Sequence, residues 1–211
     1  MYGYDKKELL NFFSGKLNNI SIQEIQEGTA CNVIGQGISR TVFYYQEYPD
    51  IVFKIGIGSD GVQEEQAFNE EIYNYKKACD NGLEEYFLGL ELLGRVTIYS
   101  EEEYWSEEEE VYKKEPYEYD VYIQKKVDYT AEIFLGDYEV DLNEEVSYLY
   151  DNEITGVSSD ELVSALFLKK NGIDEYLRLS NFVCKTLCLE DLHEGNWGLC
   201  GEDMVIIDYA M

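Results

Sequence analysis

Two segments near the end of the chain are its most informative part: Asp191-Leu192-His193-Glu194-Gly195-Asn196 and Val205-Ile206-Ile207-Asp208-Tyr209-Ala210. The first follows a predicted helix and has the composition of a turn, and the second is an apolar strand that ends in a carboxylate. We expect a carboxylate at the end of such a strand only at the mouth of a site. Carboxylate and amide oxygens suit Mg²⁺, which takes one or two carboxylates together with phosphate oxygens and water. The two segments therefore predict a magnesium site.

A glycine turn and a lysine come earlier, in a run of predicted strands. The turn is Ile34-Gly35-Gln36-Gly37, and free backbone N–H groups at glycines attract phosphate. Lys54 follows on a strand of apolar neighbours, from which an ammonium group can reach the phosphates of a nucleotide. Both features also have an ordinary structural interpretation, as a hairpin without a ligand and as a lysine on the solvent side of an edge strand.

The next helix, predicted at about 62–80, supplies an acidic candidate. Phe68, Ile72 and Tyr75 recur with helical spacing and predict one apolar face. Glu71 falls at the border of that face, where a carboxylate needs a cationic partner, and Lys54 is the natural candidate. The alternative is a glutamate on the solvated rim of the helix.

In this order, the features resemble the protein-kinase-like superfamily, which includes the aminoglycoside phosphotransferases and other small-molecule kinases. Residues 191–196 look like its catalytic loop in the D-x-H-x-x-N form, and Asp208-Tyr209-Ala210 looks like its metal-binding DFG segment. The order of strand, glycine turn, two strands and helix matches its N-terminal lobe. The resemblance extends from about Val33 to Asp208, and residues 191–208 carry most of its specificity.

This resemblance implies ATP and Mg²⁺ as cofactors and a role for each candidate residue. Lys54 would hold the α- and β-phosphates, and Glu71 would orient Lys54. Asp191 would accept the proton of the attacking hydroxyl, while His193 would either contact the γ-phosphate or stabilise the loop. The remaining candidates are Gly35 and Gly37 in the phosphate loop, and Asn196 and Asp208 as magnesium ligands.

The chain departs from the superfamily pattern at four places. Arg40 replaces the third glycine of the phosphate loop, and Leu189 replaces the histidine that usually precedes the catalytic aspartate by two residues. Ala210 replaces the glycine of the DFG segment and is less free to move. The sequence ends at Met211, so we expect a reduced C-terminal lobe without the usual substrate-binding helices.

The fold class that follows is α+β, with a protein-kinase-like two-lobed architecture. We expect residues 1–127 to form a β-rich nucleotide-binding lobe with leading helices, and residues 128–211 to form a reduced helical lobe with the catalytic-loop-like and DFG-like segments. Ser158-Ser159-Asp160-Glu161 fits a capping box that starts a helix with Leu162 in its apolar stripe, and Asn171-Gly172 breaks it. The other predicted elements are helices near 6–13, 20–27 and 174–189, and strands at 30–35, 41–46, 51–57, 94–100, 119–127, 197–200 and 204–208.

Charge limits the classes of partner. The chain has 44 acidic and 16 basic residues and a formal net charge of −28, so it repels nucleic acid and anionic lipid and is attracted to basic surfaces. Seven of the carboxylates lie in Glu101–Glu110, which predicts a solvated hairpin tip or loop. Trp105 in this stretch either packs back onto the domain or anchors a partner.

Three functions remain open. The first is an ATP/Mg²⁺-dependent phosphotransferase that acts on a basic protein or a small molecule. The second is a catalytically inert kinase-like binding module. The third is an acidic inhibitor, of an immunity or phage counter-defence type, that occupies a basic nucleic-acid-binding surface of a partner protein. The sequence has no apolar run long enough for a membrane helix and no secretion signal at its start, so a cytoplasmic protein is expected.

Overall fold

The structure is a computed structural model, and it describes residues 3–17, 20–28, 31–36, 40–57, 66–106, 111–129, 141–189 and 192–209. Helices and antiparallel sheets are both present, which confirms the predicted mixture of α and β structure. The chain divides into two units, residues 1–68 with 90–126 and residues 69–89 with 127–211. In the described part of the chain, no helix is long and apolar enough to cross a membrane.

The first unit is built on an antiparallel sheet of five strands in the order β1-β2-β3-β5-β4. β3 is an inner strand, with β2 on one side and β5 on the other. All five of its side chains are buried, as expected for a strand covered on both faces. The strands are β1 (Asn32–Gln36), β2 (Thr41–Tyr44), β3 (Ile51–Ile55), β4 (Leu90–Ser106) and β5 (Val111–Lys125).

One face of this sheet packs on the first helix, α1 (Lys6–Leu17), through aromatic rings. The Phe13 ring lies 4.7 Å from the Phe53 ring and 5.6 Å from the Phe43 ring, between centroids, and both pairs are stacked. The three rings are fully buried and each removes a large apolar area from water. The core of the first unit therefore lies on the α1 side of the sheet.

The second helix, α2 (Ile22–Gln26), begins at a capping box that the sequence analysis missed. The Ser21 hydroxyl accepts a hydrogen bond from the Glu24 N–H, and the Glu24 carboxylate accepts one from the Ser21 N–H. The backbone N–H groups of Ser21 and Glu24 are both satisfied in this way, which stabilises a helix of only five residues.

The hairpin of β4 and β5 is longer than the sequence predicted. Strands were expected at 94–100 and 119–127, but pairing continues outward to Ser106 and Val111. Residues 101–106 of the acidic stretch are therefore strand, and residues 107–110 lie outside the described part. Cross-strand pairs stabilise the strands in spite of the repulsion between carboxylates. Glu103 lies opposite Lys114, and the Trp105 ring meets the Tyr112 ring edge-on, with 5.1 Å between centroids.

The second unit is mostly helical and contains a small antiparallel sheet in the order β6-β7-β8. Its fully buried large side chains include Phe167, Tyr176, Trp197 and Tyr209, so aromatic rings from helix and hairpin share one core. Its elements are α3 (Gln66–Asp80) from Asn69 onward, a 3-10 turn at Glu84–Tyr86, β6 (Asp128–Tyr129), α4 (Asn143–Asp151), α5 (Glu161–Asn181), a π-helical segment at Phe182–Leu187, a 3-10 turn at Glu194–Asn196, β7 (Trp197–Cys200) and β8 (Asp203–Ile206).

Helix α5 differs from the prediction at its start. Its N-cap is Asp160, whose Oδ1 accepts a hydrogen bond from the Val163 N–H at 2.9 Å, so the predicted capping box begins two residues too early. Leu162 is about half exposed, and the buried positions are the run Val163–Leu168. The predicted break at Asn171-Gly172 is confirmed as a kink, because Gly172 has a φ of 79°, which a glycine adopts without a steric penalty.

The apolar face predicted for α3 is right for Phe68, which is buried, and for Tyr75, which is half-buried, and wrong for the other two positions. Ile72 and Cys79 are exposed, whereas Glu71, Asn74 and Ala78 are buried together with Phe68. The hydrophobic pattern fails here because two polar residues occupy the buried positions, which sequence periodicity assigns to apolar side chains. Glu71 is thus central on the buried face and not at its border.

We expect Gly198→Ala to destabilise the protein by about 1–3 kcal/mol. A Cβ atom at Gly198 on β7 would lie 2.4 Å from Val127 Cγ2 and 3.2 Å from the Asp128 carbonyl oxygen. Gly15→Ala is the matched control, because a Cβ atom there meets nothing within 4 Å and alanine favours a helix by up to about 1 kcal/mol. Thermal and denaturant unfolding followed by circular dichroism would measure both, and equal stability of the two variants would contradict this packing of the hairpin.

Candidate functional site

Lys54 is buried on an inner strand. Its side chain is 4% exposed, and Val42 of β2 and Tyr122 of β5 lie directly opposite it. The interpretation of Lys54 as a solvent-facing lysine on an edge strand is therefore wrong. Burying an ammonium group is costly, so this position is expected to have a structural or binding reason for its charge.

The predicted phosphate-loop glycine and Lys54 share one face of the sheet. Gly35 lies opposite Val42, and Val42 lies opposite Lys54, and residues directly opposite one another point to the same face. Two strand spacings separate Gly35 from Lys54, which is about 10 Å. Gly35 also adjoins the register shift in β1. Gly37, the second predicted glycine, lies outside the described residues.

The same face contains a second buried cation, Arg40, which is 6% exposed. Its guanidinium carbon lies 5.3 Å from the centre of the Phe68 ring, and that ring stacks on Tyr122 at 4.3 Å. The sequence analysis treated Arg40 only as a departure from a glycine pattern, because its burial depends on contacts with residues distant in the chain. Lys54 and Arg40 thus place two positive charges on one face of a protein whose net charge is −28.

In the second unit, the β7–β8 hairpin brings Asn196 and Asp208 to one end. Trp197 pairs with Ile206, and the Ile207 N–H donates to the Asn196 carbonyl oxygen at 2.7 Å. Asn196 is therefore the last residue before β7, and Asp208 follows β8 at the same end of the hairpin. The two predicted magnesium ligands lie at the same end of the hairpin because the strands are antiparallel and joined by a short turn.

Asn196 has an unused acceptor atom. Its side-chain oxygen Oδ1 is buried and accepts no hydrogen bond within the described part of the chain. An unsatisfied buried acceptor costs about 1–3 kcal/mol, and such groups are rare enough to need an explanation. An amide oxygen at the same hairpin end as a carboxylate suits Mg²⁺, which prefers oxygen ligands and uses few protein ligands when phosphate is also bound. Among the described residues, no three His, Cys, Asp or Glu side chains form a metal cluster.

His193 begins the 3-10 turn that ends at Asn196. Its Nδ1 accepts a hydrogen bond from the Gly195 N–H at 3.0 Å, and the Asn196 N–H donates to the His193 carbonyl oxygen at 3.0 Å. A neutral ring whose Nδ1 is an acceptor has its proton on Nε2. This contact favours the loop-stabilising role of His193, and its exposed ring leaves Nε2 as a donor for a ligand.

Asp191 lies outside the described residues, but the structure describes both of its flanks. The Leu189 N–H donates to the Val183 carbonyl oxygen at 3.2 Å, and the Leu192 carbonyl oxygen accepts from the Ser159 N–H at 2.9 Å and from the Ser158 hydroxyl. Leu189 and Leu192 are both buried. A pocket of about 360 Å³ is lined by these two leucines together with Cys184 and residues 155–159.

The segment after Asp208 is attached to the helical part of the second unit. The Tyr209 ring is fully buried, and its hydroxyl donates to the Leu88 carbonyl oxygen at 2.8 Å. The Asn74 amide of α3 donates to the Tyr209 carbonyl oxygen, also at 2.8 Å. Glu71, which is 0% exposed, lies one turn before Asn74 on the same buried face of α3.

Comparison with protein families, with characterised proteins and with solved structures found no match to this chain. Function can therefore be inferred only from the residues of this chain and their contacts. The structure places Gly35 with Lys54 on one face in the first unit, and His193, Asn196 and Asp208 around one hairpin end in the second. The roles assigned to them by the resemblance stay predictions.

We expect Asn196→Ala to leave the stability of the metal-free protein within about 1 kcal/mol of the wild type, because it removes an acceptor that has no hydrogen bond. Asn74→Ala is the matched control. It removes the buried amide that donates to the Tyr209 carbonyl oxygen, and should cost about 1–3 kcal/mol. Denaturant unfolding in the presence of a chelator measures both. An equally large loss in Asn196→Ala would mean that its amide is a structural group.

Proposed function

We propose that the chain is an ATP- and Mg²⁺-dependent phosphotransferase with a protein-kinase-like, two-lobed fold. The observations that carry the proposal are the positions of Asn196 and Asp208 at the same end of the β7–β8 hairpin and the unused buried oxygen of Asn196. An acceptor oxygen that is held out of water without a hydrogen bond is available to a cation, and Mg²⁺ prefers oxygen ligands of this kind.

Each group of residues then has a chemical task. Asn196 and Asp208 would hold Mg²⁺, which neutralises charge on the phosphate oxygens during transfer. Lys54 would bind the nucleotide phosphates, and Arg40 adds a second positive charge to the same face of the sheet. Asp191 would accept the proton of the attacking hydroxyl, which is the usual task of a carboxylate in this position of the superfamily.

The contacts around Tyr209 support the same assignment. The residue after Asp208 is held at its ring, its hydroxyl and its carbonyl oxygen, so the backbone that carries the Asp208 carboxylate has little freedom. Precise placement of charged groups is the main contribution of a protein to phosphoryl transfer. Glu71 lies on the same buried face of α3 as Asn74, and its proposed task is to orient Lys54.

The acceptor is proposed to be a basic protein or a small cationic molecule, because a net charge of −28 attracts cations and repels anions. A kinase-like module that binds nucleotide without transferring phosphate is the second candidate. It shares the same site and differs only in turnover. The inhibitor hypothesis has no support from this site, and depends only on the acidic surface.

Nucleotide binding is tested by thermal unfolding. ATP with Mg²⁺, at about 100 times Kd, should raise the Tm of the wild type by roughly 5–10 °C, since such binding adds about 2.7 kcal/mol and a chain of this size gains about 2–4 °C per kcal/mol. Asp208→Asn should lose most of the Mg²⁺-dependent part. Asp203→Asn, an exposed aspartate at the start of β8, is the matched control and should respond like the wild type. No shift in the wild type would exclude the proposal.

Phosphate transfer is tested with γ-labelled ATP, using autophosphorylation and a mixture of basic proteins as acceptors. We expect Asp191→Ala to reduce the rate by about 10²–10⁴-fold, the usual contribution of a general base, while the thermal shift with ATP and Mg²⁺ is kept. Asp203→Ala serves as the control and should transfer normally. A wild type that binds nucleotide but transfers nothing would establish the binding module instead.

A further inference from the structure

The outer part of the β4–β5 hairpin is a two-stranded ribbon, which we define as residues 99–106 and 111–117. β3 pairs with β5 only along residues 121–125. Beyond that point β4 and β5 pair with each other, and the one further pairing among the described residues is a single bridge from Ser21 to Tyr99. Most side chains of the ribbon whose burial the structure describes are exposed and the rest are half-buried, and a two-stranded ribbon has little stability of its own in water.

The ribbon concentrates exposed aromatic rings. Six of the 14 large exposed hydrophobic side chains of the described residues lie in it: Tyr99, Tyr104, Trp105, Val111, Tyr112 and Tyr117. Trp105 is 49% exposed and Tyr112 is 67% exposed, and the two rings meet on one face. Exposed apolar clusters of this kind mark binding surfaces, and Trp and Tyr are the residues most often at the energetic centre of an interface.

Charge determines which partner fits. The ribbon contains four glutamates and two lysines, and the residues between its two segments in the sequence, 107–110, are all glutamates, so residues 99–117 carry a net charge of −6. An anionic partner would be repelled, and an apolar partner would bury carboxylates without counter-charges. A partner rich in lysine and arginine fits both the glutamates and the exposed rings of the ribbon, because these side chains pair with carboxylates and lie over aromatic rings. The chain already contains such a contact elsewhere, with Lys77 Nζ 4.6 Å from the centre of the Tyr73 ring.

We propose that the ribbon is a docking surface for a lysine- and arginine-rich polypeptide segment of another protein. Trp105 and Tyr112 supply the aromatic contact area, and Glu103, two residues before Trp105 on the same strand, supplies a counter-charge on the same face. The other glutamates of the segment, including Glu115, add to the negative charge around it. The sequence analysis left two alternatives for Trp105, and its exposure supports the partner-anchoring one. Docking at the ribbon needs neither nucleotide nor Mg²⁺. The docking proposal and the phosphotransferase proposal can therefore fail independently of one another.

The test uses the full chain and a fluorescein-labelled peptide of alternating arginine and serine. Fluorescence anisotropy should show saturable binding that weakens as NaCl is raised, because exposed charge pairs are screened. The double variant Trp105→Ala/Tyr112→Ala should weaken binding by about tenfold or more, the loss expected at the centre of an interface. The control double variant, Tyr148→Ala/Tyr150→Ala, removes two exposed tyrosines of α4 and should bind like the wild type.

A charge-matched pair separates docking from general attraction to an acidic protein. Glu103→Gln/Glu115→Gln neutralises two carboxylates in the ribbon, and Glu84→Gln/Glu85→Gln neutralises two exposed ones in the 3-10 turn. The first should weaken binding several-fold more than the second. Equal losses would overturn the proposal in favour of unspecific charge attraction.

Self-association is a further outcome that would overturn the proposal. If sedimentation shows a dimer of the wild type that Trp105→Ala abolishes, the ribbon contacts a second copy of this chain.

A complementary measurement uses Trp197→Phe, which leaves Trp105 as the only tryptophan of the two in the chain. Its emission should change on addition of the peptide, and an unchanged emission at saturation would place the peptide elsewhere.

Discussion

The hydrogen bond from the Ile207 N–H to the Asn196 carbonyl oxygen is the contact on which the candidate site depends. It closes the open end of the β7–β8 hairpin and places Asn196 beside the residues that lead to Asp208. Because the strands are antiparallel, any change of register would move Asp208 away from Asn196 and turn side chains to the opposite face. Gly198 permits this register, since a Cβ atom there would meet Val127. The fully buried Trp197 and Tyr209 attach both strands to the core of the second unit.

The structure buries three charged side chains for which a binding or orienting role is proposed, and the Asn74 amide in addition. Lys54, Arg40, Glu71 and Asn74 are all at most 6% exposed, although charged and amide side chains usually remain in water. Such burial reduces stability unless the groups are paired or hydrogen-bonded, as Asn74 is to Tyr209. Removing charged groups from water is costly even when they have partners, and functional sites are a usual place for such burial.

The acidic surface and the aromatic ribbon play no part in the proposed phosphotransferase site. We expect the excess of carboxylates to repel nucleic acid and anionic lipid, but this charge does not say where a cationic partner would bind. The ribbon adds that location, since Trp105 and Tyr112 lie on one exposed face among glutamates. Cross-strand pairs such as Glu103 with Lys114 allow a strand to form through a segment whose composition indicates a loop.

Local patterns in the sequence were sufficient for the strands around Gly35 and Lys54, the helix break at Gly172 and the final hairpin, because turn residues and apolar runs act over a few neighbours. They were not sufficient for the buried face of α3, the burial of Arg40 or the outward length of the β4–β5 ribbon. Those features depend on contacts between residues far apart in the chain: Asn74 with Tyr209, Arg40 with Phe68, and Trp105 with Tyr112. Only the tertiary structure could show them, since the burial of a polar side chain is decided by its distant partners and not by its neighbours in sequence.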